Sequence, residues 1–164
     1  MMQDGAQPPA TAQPLAAVLD ALLARQRLTL ATRQLRVETL FAVDSVMAER
    51  GQLETVLDNL LSNAVKFSPE GGRILVKSEA IDGAVRVTVC DEGPGIQAAE
   101  RPHVFEPFYQ GARQPASAVK GSGLGLSIVR ETLRAAGGTA DVVDCPPWST
   151  CIRLTWPAHP PPPT

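Results

Sequence analysis

A chain of 164 residues, 44% apolar and 20% charged, has room for one hydrophobic core and the composition of a folded domain, which excludes a disordered or fibrous protein. Its formal net charge is −2, and its three lysines (Lys66, Lys77 and Lys120) form no basic run. Charge therefore gives no reason to expect a nucleic-acid or membrane-surface partner. Residues 1–14, rich in Pro, Gln and Ala, read as a flexible leader. PLAAVLDALLARQRLTLATR carries Leu15, Val18, Leu19, Leu22 and Leu23 at helical spacing, opened by a proline in the first turn. RVETLFAVD alternates as Val37, Thr39, Phe41 and Val43 and predicts a strand. A helix is expected from about Gly51 to Phe67, stopped by SPEGG.

RILVKSEA and AVRVTVC predict two strands joined through IDGA, because an Asp-Gly pair between β-rich runs supplies the positive φ of a tight hairpin. Residues 91–122 are punctuated by Gly and Pro and read as loop, a length that in a compact domain points to function. GLSIVRETLRAAGG predicts a helix ending at glycine, and TADVVD and STCIRLTW predict a closing strand pair. The tail at 158–164 is proline-rich and expected to be extended and disordered. The order α-β-α-β-β-loop-α-β-β predicts a two-layer α/β sandwich, of α+β class, with helices on one face of a mixed sheet over residues 15–157.

Cys90, Cys145 and Cys151 are odd in number and contain no C-x-x-C pair. They read as small buried hydrophobes in a reducing compartment rather than as a disulfide framework or zinc site. No run of about 18 apolar residues is present to cross a bilayer. The opening MMQDGAQPPATAQP lacks the basic-then-apolar order of a signal peptide, so a cytoplasmic location is expected.

Four stretches carry the chemistry. In LDNLLSNAVKF, Asn59, Asn63 and Lys66 fall within about 60° of one another on a helical wheel, away from Leu53, Leu57, Leu60, Leu61 and Ala64. Amide oxygens suit magnesium, amide NH₂ groups donate to phosphate, and a lysine one turn on neutralises phosphate charge. A solvated polar face explains the same stripe. CDEGPGI ends a strand with Asp91, a carboxylate able to accept from an exocyclic amino group and to repel a carbonyl; Gly93 and Gly95 remove side chains beside it. A simple turn explains this stretch too.

In VFEPFYQ, Phe105 and Phe108 either plug a loop onto the core or anchor a movable lid. GSGLGLSIV places Gly121, Gly123 and Gly125 at alternate positions leading into a helix, an arrangement that admits phosphate to backbone N–H groups. Leu126 stands where G-x-G-x-x-G requires glycine, and no Gly-Lys-Ser/Thr follows, so neither a Rossmann nor a P-loop site is supported.

In this order the four stretches resemble the ATP-binding catalytic domain of two-component sensor histidine kinases, within the Bergerat-fold group that includes gyrase, Hsp90 and MutL. NLLSNAVKFSP resembles the N box, DEGPGI the first glycine box, FEPF the F box and GSGLGLSIV the second glycine box, a likeness covering roughly residues 15–157. The resemblance implies a mostly antiparallel mixed sheet and a protein-histidine kinase using ATP and Mg²⁺. Asn63 would coordinate the metal, with Asn59 on metal or phosphates and Lys66 on phosphates, these three forming the catalytic set. Phe67 would lie near the nucleoside, Asp91 would accept from adenine, and Gly93, Gly95 and Ile96 would line the base. Phe105 and Phe108 would flank a lid running from about Tyr109 to Lys120. Lys120, Gly121, Ser122, Gly123, Leu124, Gly125 and Leu126 would shape the triphosphate end, and Arg113 is a further lid candidate. Thr55 and CPPWSTC depart from the family pattern outside these contacts.

His103 and His159 lack the context of a phosphoacceptor, so the resemblance implies a catalytic fragment: a monomer whose parent is a homodimer, with residues 1–14 the linker from missing dimerisation helices. Its partner would be the dimerisation and histidine-phosphotransfer domain of the same kinase, with a response regulator downstream. The sensor would be membrane-anchored or soluble, with this domain on the cytoplasmic side. The alternatives within the group are an anti-sigma-factor-type serine kinase or switch module and a non-catalytic nucleotide-binding domain.

Overall fold

The computed structural model describes residues 10–109 and 125–158. Strand β1 (Thr11–Pro14) leads into helix α1 (Leu15–Thr32), followed by β2 (Arg36–Phe41), β3 (Ser45–Ala48) and helix α2 (Gln52–Phe67). The hairpin β4 (Arg73–Ile81) and β5 (Ala84–Asp91) precedes the long loop, and α3 (Gly125–Ala135), β6 (Thr139–Cys145) and β7 (Trp148–Pro157) complete the described chain. A five-stranded sheet runs in the order β2-β4-β5-β7-β6, while β1 and β3 form a separate two-stranded ribbon. Only β2 pairs in parallel, with β4; the other sheet pairs are antiparallel. This is the expected mixed, mostly antiparallel architecture.

Strand alternation sends Val87 and Val89 of β5, and Ile152, Leu154 and Trp156 of β7, to one face of the sheet. There they meet Leu15, Leu19 and Leu22 of α1, Leu53, Leu57, Leu60 and Leu61 of α2, and Val129 and Leu133 of α3 in one buried cluster. Truncating one of these leucines to alanine typically costs about 2–5 kcal/mol, so the cluster holds the helices against the sheet. The Asp82–Gly83 turn has φ of 43° and 76°, the two successive positive values of a type I′ hairpin.

Two expectations are revised in detail. Residues 11–14, assigned to the leader, form β1 because the ribbon pairing with β3 and the Gln13 Nε2 bond to the Ala48 carbonyl at 3.3 Å tie them down. The single strand expected over RVETLFAVD breaks after Phe41. Ser78 Oγ donates to the Val43 carbonyl at 2.6 Å and accepts from the Val43 N–H at 3.3 Å, turning the chain from the large sheet into the ribbon.

The two helix ends contrast. Gly137 closes α3 at φ 81°, with the Gly138 N–H bonded to the Leu133 carbonyl at 2.7 Å. The same closure at α1 uses Gln34 at φ 57°, with Leu35 N–H on the Leu30 carbonyl at 2.9 Å.

Candidate nucleotide site

Helix α2 divides as its sequence pattern demands. Val56, Leu57, Leu60, Leu61 and Ala64 are buried, while Asn59, Asn63 and Lys66 are all half-buried on another side. Asn59 Nδ2 donates to the Thr55 carbonyl at 2.8 Å, which fixes the amide plane. Its Oδ1 then lies where a Cβ on Gly125 would come within 3.1 Å, so a glycine at the start of α3 is what lets that helix N-terminus approach. Lys66 Nζ stands 5.5 Å from the centroid of the Phe67 ring, joining the cation to the apolar neighbour.

The α2 C-terminus is fixed from outside the helix. The Arg33 guanidinium donates to the carbonyls of Val65 and Ser68, placing a cation where the helix leaves acceptors unpaired. Ser68 is extended, as a residue before proline should be, and its Oγ donates back to the Ala64 carbonyl at 2.6 Å. Lys66 and Phe67 therefore sit on a clamped end.

Across from this end, β5 finishes at Asp91, only 3% exposed, whose Oδ1 accepts the Gly93 N–H at 2.7 Å. A Cβ on Gly93 would meet both Asp91 Oδ1 and the Phe67 carbonyl at 2.8 Å, so the glycine is required for the loop to lie between β5 and α2. Gly95 has φ 81° and a Cβ there would sit 3.1 Å from the Ser149 carbonyl, which only glycine accommodates. Ser149 Oγ donates to the Gly93 carbonyl at 2.6 Å, and Thr150 pairs directly with Asp91 across β5 and β7. Thr150 Oγ1 is buried with no hydrogen-bond partner among the described residues. Ile96 is buried and packs into the core.

The loop start is tethered twice. Glu92 accepts from the Arg73 backbone N–H at 2.8 Å and its guanidinium at 3.2 Å, contacts that hold its carboxyl below the usual range. Arg101 donates to Asp144 at 2.6 Å; that hydrogen bond, then the guanidinium charge, pulls the Asp144 carboxyl down. Residues 97–109 wind through successive four-residue turns, each closed by an N–H bonded to the carbonyl three residues back. The two rings of VFEPFYQ part: Phe105 is 6% exposed and plugs the core, whereas Phe108 is 69% exposed at φ 65°. Tyr109 Oη donates to Glu100 at 3.1 Å.

The fold thus sets Gly93 between Asp91 and the Phe67 carbonyl and Gly125 beside the Asn59 amide, with Lys66 over Phe67 and Asn63 half-buried on the same side of α2 as Asn59. Leu126 is buried, and Phe105 belongs to the core. Lys120, Gly121, Ser122, Gly123 and Leu124, together with Arg113, lie outside the described residues. Sequence reasoning missed Arg33, Ser149 and Thr150. The first two act through backbone carbonyls distant in sequence, which leaves no local signature; Thr150 becomes visible only through its register with Asp91.

The family model for histidine kinase-, DNA gyrase B-, and HSP90-like ATPases matches residues 48–160. The chain is 35% identical to the sensor histidine kinase GlrK of Escherichia coli over 144 residues, 88% of this chain and 30% of that protein. It is 38% identical to the histidine-protein kinase/phosphatase MprB of Mycobacterium tuberculosis over 120 residues, 70% of this chain and 23% of that one. It therefore spans less than a third of the length of these curated relatives. Among solved structures, a mycobacterial sensor histidine kinase MprB superposes with a TM-score of 0.77 at 31% identity, covering 92% of this chain and all of that one. Full-length ShkA in complex with AMPPNP gives 0.74 at 27% identity over 94% of this chain and 32% of that one.

Proposed function

This chain belongs to the histidine kinase-, DNA gyrase B- and HSP90-like ATPase family, and from that premise we propose that it is the ATP-binding catalytic domain of a sensor histidine kinase. It would present the γ-phosphate to a histidine on a separate helical dimerisation domain of the same kinase, with a response regulator downstream. The relatives reported above carry histidine-kinase names, and none of them favours the serine-kinase switch alternative.

One observation carries the reading: the buried Asp91 carboxylate lies beside Gly93 and is paired across the strands with Thr150, whose hydroxyl has no partner among the described residues. An acceptor-only carboxylate suits a 6-amino purine and repels a 6-keto one. Gly93 and Gly95 leave the backbone beside that carboxylate bare of side chains, which suits the approach of a planar base. Asn63 and Asn59 are neutral oxygen donors of the kind magnesium accepts beside phosphates, and Asn63 is the proposed ligand. Bound Mg²⁺ would supply charge neutralisation on the phosphates. Lys66 adds a fixed cation, and the N-terminus of α3 faces anionic charge with backbone N–H groups. The domain's own contribution is positioning and electrostatics; none of its side chains need be a nucleophile.

The test joins this chain to a relative's dimerisation helices in one polypeptide and supplies γ-labelled ATP. Acid-labile, base-stable label on the phosphoacceptor histidine, dependent on Mg²⁺ and lost in Asn63→Asp, is expected. Acid-stable label on serine, or label on this domain itself, contradicts the reading.

A further inference from the structure

Cys90, Cys145 and Cys151 come from three different strands, yet their Sγ atoms all lie within 4.8 Å of one another. Cys90 and Cys151 are Cα partners across β5 and β7. Val143 is the partner of Cys151 on the other side, and a bulge between Val143 and Cys145 carries Cys145 to the same place. All three thiols are free. They occupy the sheet face turned away from the helices, directly behind Asp91 and Thr150. Every cysteine of the chain is therefore gathered at one point, where sequence spacing predicted small buried hydrophobes rather than a disulfide framework or zinc site.

We propose that this cluster is a three-thiolate site for a soft monovalent metal ion, Cu(I). The number and softness of the ligands together favour that ion. Structural zinc takes four protein ligands, and no fourth His, Cys, Asp or Glu joins this group among the described residues. Thiolates select soft ions, Cu(I) foremost among those content with three sulfurs. A point equidistant from three sulfurs at that maximum spacing is about 2.8 Å from each, so a contraction of about 0.5 Å reaches ordinary metal–thiolate length.

Charge fits as well. Three thiolates around a monovalent ion leave net negative charge, and the neighbouring cross-strand row is Lys77, Thr88, Arg153 and Asp141, of which the two cations act on Cys145. Access fits too, because Cys90 and Cys151 are fully buried while Cys145 is half-buried and gives an approach from solvent.

Burial, then the neighbouring Cys151, pushes the Cys145 thiol up, and a hydrogen bond to Cys90 together with burial pushes the Cys151 thiol up. Binding breaks three S–H bonds, forms three S–Cu bonds and releases three protons to solvent. Copper stays Cu(I), so no electron moves and no oxidant is needed.

The test is anaerobic titration of the reduced chain with Cu(I) held by a chromogenic competing chelator, read by chelator colour, sulfur-to-copper charge-transfer absorption and copper-edge X-ray absorption. One ion per chain with three sulfur neighbours is expected. Cys145→Ser, at the half-buried position, should keep the fold and weaken binding by more than about 100-fold, beyond what loss of an outer partner costs. Failure of the wild-type chain to compete with the chelator overturns the proposal. So does a two-sulfur site, Cys145→Ser binding as tightly as wild type, or recovery of a Cys90–Cys151 disulfide without copper.

Discussion

Asp91 Oδ1 accepts the Gly93 backbone N–H at 2.7 Å, so the carboxylate is oriented by the glycine loop that it would share with a bound base. Replacing Asp91 by Asn can preserve that internal bond while setting an NH₂ donor against the adenine amino group. Asp91→Asn should therefore weaken ATP binding by about 1–3 kcal/mol, with little change in circular dichroism. Calorimetry on the variant measures this, and unchanged affinity removes Asp91 from base recognition.

Arg33 is the clamp on the end of α2 that carries Lys66. Its guanidinium serves two carbonyls at once, and charged hydrogen bonds of this kind are worth about 1.5–3 kcal/mol together with the acceptors they leave unpaired. Arg33→Ala should lower the denaturant midpoint accordingly at unchanged m-value. Arg33→Lys, with a point charge in place of a fork, should recover only part of the loss. A wild-type midpoint for the alanine variant would contradict the clamp.

Gln34 pays for a left-handed backbone that glycine adopts freely, as Gly137 does at the end of α3. Gln34→Gly should stabilise the domain by up to about 1 kcal/mol, the relief being partly offset by greater freedom in the unfolded chain. For a chain of this size that is a rise in Tm of about 2–4 °C at most. A thermal melt showing a fall would mean that the Gln34 side chain contributes more than its strain costs.

Asp144 and Glu92 both titrate below the ordinary carboxylate range because Arg101 and Arg73 hold them ionised. A group whose folded pKa is depressed stabilises the fold above its unfolded pKa and loses that contribution as pH falls through the folded value. Amide exchange protection over residues 92–109 should therefore be constant near neutrality and decline on acidification below the usual carboxylate range. Both pairs are partly open to solvent, so added salt should weaken the effect. In Asp144→Asn the part of the decline nearest Arg101 should disappear. Protection equal to wild type at every pH in that variant would exclude the tether.

Much of this was legible from sequence where a periodicity was doubled or a turn demanded one residue type. Helix α2 announces itself because its leucines and its asparagines follow the same helical period on separate faces, and the Asp82–Gly83 hairpin because few pairs tolerate two positive φ values. Strand β1 was illegible because Thr11–Pro14 has linker composition and becomes a strand only through pairing with β3. The break after Phe41 was hidden by alternation that continues to Val43, since the turn there is made by Ser78 from another strand. Arg33 and Ser149 work on backbone carbonyls, so no side-chain pattern marks them. The cysteine cluster depends on the register of β5 with β7 and on one bulge, neither of which spacing encodes.

The most direct measurement is calorimetric titration of this chain with a non-hydrolysable ATP analogue, with and without Mg²⁺, against the corresponding GTP analogue. The site built around Asp91 and Asn63 predicts binding of the adenine compound, altered by Mg²⁺, and little or none of the guanine one. Equal binding of the two purines would contradict the base assignment, and affinity indifferent to Mg²⁺ would contradict the role given to Asn63.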